Sequence, residues 1–258
     1  MRNFQYRAHV AHGLTFIPLK RPDHEKHTWK NWRLVPTSRP VFLPPPCKTN
    51  KIDITGADGV LDLSERPTGD VKYNNRVGSM EFQVENRDDW TAVYSEIMNY
   101  LHGQEMKAIL DDDPGYYYIG RFSVNEWRSE EYRSKIVIDY DVQPYKLELT
   151  SSMEPWLWDP FNFDRGVIRE YEDFLVRGTL EVTVIGSRKP VVPVFVVTLT
   201  DGQDMTVTYN GKEYLLFNGG AETTKKTQIP DIVIREGEYK LTFKGNGFVS
   251  IDYRGGSL

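Results

Sequence analysis

The side chains able to do chemistry are few in this sequence and converge poorly. Four of the five histidines form two H-x-x-H pairs, His9/His12 and His24/His27, a spacing that merits testing as a zinc site because neutral imidazole is a common ligand. Three-residue spacing brings two rings together on a helix but splits them between the faces of a strand. Both pairs sit in sequence broken by Gly13, Pro18 and Pro22, with no cysteine or third ligand to join them. They read as surface histidines, and no metal is expected. The run Asp111-Asp112-Asp113 lacks the alternating ligands and terminal glutamate of a calcium loop, so with Pro114-Gly115 it reads as a solvated turn. Glu130 and Glu131 fall side by side in a polar loop, whereas a glycosidase pair faces across a groove. A β-sandwich hydrolase using these carboxylates is the enzymatic rival. With no nucleophile elbow, phosphate loop or metal-spaced Cys/His set, the expectation is a protein with no catalytic residue and no cofactor.

The aromatic residues point to surfaces. Trp156 and Trp158 stand two apart, which on a strand puts both indoles on one face, able to meet a sugar ring or a protein partner. Their neighbours Pro155, Leu157, Pro160, Phe161 and Phe163 favour packing at the start of a domain. A carbohydrate-binding module recognising host cell-wall saccharide through this pair is the alternative function. From Lys20 to Lys48 seven basic residues stand against only Asp23 and Glu25, with Trp29, Trp32 and the run Pro44-Pro45-Pro46. Those are the ingredients of a nucleic-acid platform, yet the prolines suit an extended, preordered arm held against a protein.

Composition agrees. The net charge of -5 offers nucleic acid and anionic membrane no global attraction, so neither is an expected partner. The single Cys47 excludes an intrachain disulfide, as suits a reducing compartment. The N-terminus lacks an apolar signal core, and no run approaches a membrane span, so cytoplasmic synthesis is expected.

Elements able to position these residues follow from periodicity. Lys51 to Leu63 places Gly56-Ala57-Asp58-Gly59 between two alternating runs and predicts a hairpin. Arg76 to Glu85 alternates as a strand. Between Asp88 and His102, Trp90, Val93, Tyr94, Ile97, Met98 and Leu101 share one helical face, with Asp88 as cap and Gly103 as stop; this is the one helix expected. Lys107 to Leu110 resumes as strand. Tyr116 to Val124 and Lys135 to Val142 then pair across a polar loop near Asn125 to Arg133.

After Lys146 short strands follow closely: Thr179–Ile185, Val191–Thr200, Met205–Tyr209, Glu213–Phe217, Ile232–Arg235, Tyr239–Lys244 and Phe248–Tyr253, with turns that include Asn210-Gly211 and Gly245. That pattern predicts a β-sandwich. The reading is all-β with one helix, in two domains: 1–146, with its helix at about 88–102, and 147–258.

Several motifs resemble the distal tail proteins (Dit) of long-tailed, non-contractile bacteriophages and related prophages. They are Trp29-Lys30-Asn31-Trp32, Ile52-Asp53-Ile54-Thr55-Gly56 with Asp58-Gly59-Val60-Leu61-Asp62, Tyr73-Asn74-Asn75-Arg76, Leu101-His102-Gly103, Tyr118-Ile119-Gly120-Arg121-Phe122 and Asp141-Val142-Gln143-Pro144-Tyr145-Lys146. Trp158-Asp159-Pro160-Phe161-Asn162-Phe163, the Gly186 to Pro193 segment and the Gly247 to Arg254 strand extend the likeness. The resemblance implies an N-terminal split β-barrel and a C-terminal galectin-like β-sandwich. It also implies a homo-hexameric ring that joins the tail tube protein to tail-tip, tail-associated lysin or adhesion proteins, located at the virion tail tip. Trp29, Trp32, Asp58, Gly59, Arg76, Tyr118 and Arg121 are the residues expected at the ring contacts. The family brings no catalytic residues.

Overall fold

A computed structural model describes residues 12–84, 90–129, 134–155, 167–220 and 223–258. The fold is all-β in two units, each built on a curled half-barrel sheet. Met1–Lys146 with Leu258 makes one compact unit, and Leu147–Ser257 makes the other.

In the first unit, the described elements are β1 (Leu14–Pro18), β2 (Lys26–His27), α1 (Thr28–Trp32), β3 (Leu34–Pro36), β4 (Lys51–Asp53), β5 (Val60–Asp62), β6 (Arg76–Val84), α2 (Trp90–Leu101), β7 (Gln104–Leu110), β8 (Tyr116–Ser129) and β9 (Ser134–Val142). The main sheet runs β2-β1-β7-β8-β9-β6-β3, and β4-β5 is a separate two-stranded sheet. Alternation sets the core: Leu14 and Phe16 of β1, Phe82 of β6, Met106 of β7, Phe122 of β8 and Ile138 of β9 all turn inward. Helix α2 covers this layer with Ile97 and Leu101, both fully buried. Gly103, at φ +71°, ends the helix, and its N–H donates to the Phe122 carbonyl at 2.7 Å. The expected cap Asp88 lies outside the described residues.

Three local expectations change. The arm from Lys20 to Lys48 is not wholly extended, because α1 forms within it and sends Trp32 into the core, so the described residues hold two helices. The polar loop expected from Asn125 is strand as far as Ser129: β8 continues through a bulge between Val124 and Glu126. That continuation stacks Trp127 on Tyr94 of α2, with ring centroids 3.8 Å apart. The strand β7 also begins earlier than expected, at Gln104.

The second unit contains β11 (Phe174–Ile185), β12 (Val194–Leu199), β13 (Met205–Tyr209), β14 (Lys212–Phe217), β15 (Thr224–Gln228) and β16 (Glu238–Asp252), while β10 (Lys146–Glu148), which starts at the last residue of the first unit's main segment, pairs with β17 (Gly256–Ser257). The second unit's six-stranded sheet runs β14-β13-β16-β12-β15, with β11 also on β16. Phe195, Val197, Val207, Leu241, Phe243, Val249 and Ile251 form a fully buried centre. Two expected strands, Tyr239–Lys244 and Phe248–Tyr253, are one continuous β16. Gly245 and Gly247 take positive φ inside the strand, where Gly247 approaches the Thr198 carbonyl so closely that a Cβ would sit 2.2 Å from it. Gly245, the glycine that looked like a turn, is also tightly packed, since a Cβ there would sit 3.0 Å from the Asp204 carbonyl oxygen. Ile232–Arg235 contributes only an isolated bridge, Val191 to Ile234.

Candidate assembly surface

The hairpin β4-β5 stands apart from the main sheet of its unit. Ile52 pairs with Leu61, Lys51 with Asp62 and Asp53 with Val60, so Ile52 and Leu61 share one face while Lys51, Asp53 and Asp62, with Val60 among them, share the other. Ile52, Ile54, Val60 and Leu61 are all exposed, between 44% and 56%. An amphipathic pattern normally covers its apolar face against a core; here the apolar face is open. Two-stranded hairpins are marginal alone in water, so a surface covering the apolar face would stabilise this one. Gly56 and Gly59, at φ +86° and +77°, make the turn, with Asp58 exposed at the tip. The expected contact residues Asp58 and Gly59 thus lie on an open projection.

The remaining expected contacts divide by burial. Trp32 is 1% exposed, and its indole N–H donates to Glu96 at 3.2 Å. Arg76 is 4% exposed: its Nε donates to the Pro144 carbonyl at 2.8 Å and Nη1 to the Leu43 carbonyl at 3.0 Å, fastening the 42–43 segment to β6. Burial pushes the Arg76 pKa down. Tyr118 is 7% exposed and packs on Phe42, at 4.1 Å between centroids. These three side chains serve the unit's own interior and have almost no surface to offer a neighbour. Trp29 is half-buried under the Arg33 guanidinium, which lies 5.0 Å from its ring. Arg121 is exposed, with Nη1 donating to the Gly103 carbonyl at 3.0 Å.

The histidines and the acidic turn have structural partners. His27 is not a surface residue. It is buried, its Nδ1 accepts the Trp29 and Lys30 N–H groups at 3.1 and 3.2 Å as the cap of α1, and its Nε2 sits 2.9 Å from Asp111. Two accepted N–H groups require an unprotonated Nδ1, so the neutral ring carries its proton on Nε2, toward Asp111. Burial raises the Asp111 pKa, but the hydrogen bonds it accepts from His27 and from the Gly13 N–H outweigh it, leaving the carboxyl below its ordinary value. Asp112 binds His12 and Arg39, and Asp113 binds Lys146 at 2.6 Å. The acidic turn is a junction of ion pairs rather than a freely solvated bend. His9, Glu130, Glu131, Trp156 and Trp158 lie outside the described residues. Among the described residues, no three His, Cys, Asp or Glu side chains are grouped to hold a metal ion, and no helix is long and apolar enough to cross a membrane.

No family model and no curated protein matches the sequence. The architecture does match a solved structure: the crystal structure of the Dit (gp 19.1) protein of phage SPP1, described as a paradigm of the hub adsorption apparatus in phages infecting Gram-positive bacteria. The match covers 95% of this chain and 99% of that one, with a TM-score of 0.57 at 13% identity. The chain has the Dit fold. At such low identity the agreement lies in the course of the chain through its strands, which many side-chain combinations satisfy. Within the Dit fold of this chain, the exposed hairpin and Arg121 are the accessible members of the expected contact set, and Trp29 is accessible in part. The Arg76 anchor and the His27 cap were missed as structural devices, since neither a buried guanidinium bonded to carbonyls nor an imidazole cap leaves a spacing signal in sequence.

Proposed function

We propose that this chain is a structural hub of a phage tail tip. In this reading the N-terminal domain, 1–146, assembles six copies into a ring through the β4-β5 hairpin. The C-terminal domain, 147–258, is the platform for tail-tip, lysin or adhesion proteins, and the ring joins them to the tail tube at the virion tail tip. The single observation carrying the proposal is the near-complete two-way coverage of a phage hub protein's fold. The open apolar face of Ile52, Ile54 and Leu61 supports it, because a second copy would remove that face from water. No chemistry is assigned to the chain.

Electron microscopy of the purified protein, alone and mixed with its tail tube and tail-tip partners, tests the proposal. Six-fold rings in either sample support it. Single particles in both would reject it.

A further inference from the structure

A cavity of about 130 Å³ opens where the end of β1 meets β7 and β8. Lys20, Arg21 and Arg121 line it, together with Leu19, Tyr100 and Glu105. Four other cations of the unit hold carboxylates, Lys26 with Glu96, Arg39 with Asp112, Lys135 with Glu81 and Lys146 with Asp113, while cations such as Lys30, Lys51 and Lys72 stand outside the described ion pairs without being gathered at a cavity. Among the described ion pairs, Lys20, Arg21 and Arg121 have none. Three cations against the one carboxylate of Glu105 leave the cavity at net +2. Only one terminal nitrogen of Arg121 is used, on the Gly103 carbonyl, so the rest of its fork can take a carboxylate.

The β4-β5 hairpin carries the opposite sign. Asp53, Asp58 and Asp62 against Lys51 give it net -2 over Lys51–Asp62. Asp58 occupies the tip between two glycines around which no other part of the protein comes within 4 Å of an added Cβ, so the tip is narrow and unobstructed. Leu19, 37% exposed at the cavity rim, adds apolar surface of the kind Ile54 and Val60 lack in the single chain.

We propose that this cavity is a carboxylate socket for the Asp58 hairpin tip of a second copy of the chain. The inference rests on the ring reading above and says where the hairpin lands. Tip and socket are different surfaces of one chain, so the contact is head-to-tail, the kind that closes into a ring when the rotation between copies is an integral fraction of a turn. Complementary charge fixes the register of the approach, while the apolar face of the hairpin supplies burial.

The test mixes unlabelled and 15N-labelled protein, joins carboxylates to amines with a carbodiimide, and reads linked peptides by mass spectrometry beside a light-scattering mass. Asp58–Lys20 links carrying both labels are expected, lost in Asp58→Asn and reduced at least about tenfold in Arg121→Glu, with circular dichroism unchanged in both. Oligomers that form without a mixed-label Asp58–Lys20 link, or with links only inside one label, would overturn the socket and leave the ring standing. A chain that stays monomeric with its tail partners present would overturn the ring reading, and the socket with it.

Discussion

Ile52 lies directly opposite Leu61 across the β4-β5 hairpin, and both side chains face water in the single chain. A cross-strand apolar pair is the ordinary unit of sheet stabilisation when something covers it. In this hairpin it marks the face that assembly would bury.

Replacing both residues, Ile52→Asp with Leu61→Asp, separates folding from assembly. Both side chains are exposed within the unit, so unfolding free energy should move by no more than about 0.5–1 kcal/mol. Self-association measured by sedimentation should fall by a factor of about ten or more, on the order of the burial lost from two aliphatic side chains. A large drop in thermal stability with association intact would show that the hairpin packs within its own unit.

The two tryptophans of the arm should behave oppositely. Trp32→Ala removes a fully buried indole and its bond to Glu96, costing about 3–5 kcal/mol in denaturant unfolding. Trp29→Ala removes a half-buried ring stacked under Arg33 and should cost less than about 1 kcal/mol. Equal effects would contradict the assignment of α1 as a wedge that buries one face.

Acid should weaken the first unit partly through Asp111 and Asp112. Both carboxyls have folded pKa values below the ordinary 3.8. A carboxylate depressed in this way stabilises the fold above its unfolded pKa, and that contribution disappears as pH falls through the folded value. Denaturant midpoints of the wild type should therefore decline below about pH 4. Asp111→Asn should be less stable at neutral pH and show a shallower decline. Parallel curves for the two proteins would show that the His27–Asp111 contact contributes nothing to acid sensitivity.

In the second unit, Arg169 is 7% exposed, bonds both oxygens of Glu148 and donates from Nε to the Ile185 carbonyl at 3.0 Å. Removing one partner strands the other, so Glu148→Gln or Arg169→Met should each cost about 3 kcal/mol in chemical unfolding. The double change should cost less than the two single costs added together. Additive losses would show that the ions act separately.

Much of this architecture is legible in the sequence because the residues that make it act locally. The helical face from Trp90 to Leu101 forms α2, and Gly56 with Gly59 places the β4-β5 turn where the structure has it. Met205–Tyr209 appears with the same bounds as β13. Sequence reasoning misses where distant partners decide. Gly245 looks like a turn until β16 runs through it against its neighbours, and β15, TKKTQ, has no apolar alternation because its side chains are largely exposed at the sheet edge. The contact set divides for the same reason: Arg76 and Trp32 have surface-like or interface-like residue types, and only the long-range carbonyls of Leu43 and Pro144, or Glu96 on α2, explain their burial.

Whether the chain forms a ring is read most directly from the mass of the assembled protein in solution, by light scattering, with tail tube and tail-tip partners added in turn. A ring hub requires a species containing six copies of the 29.9 kDa chain, sensitive to Ile52→Asp with Leu61→Asp. A single-chain mass under every condition would contradict it.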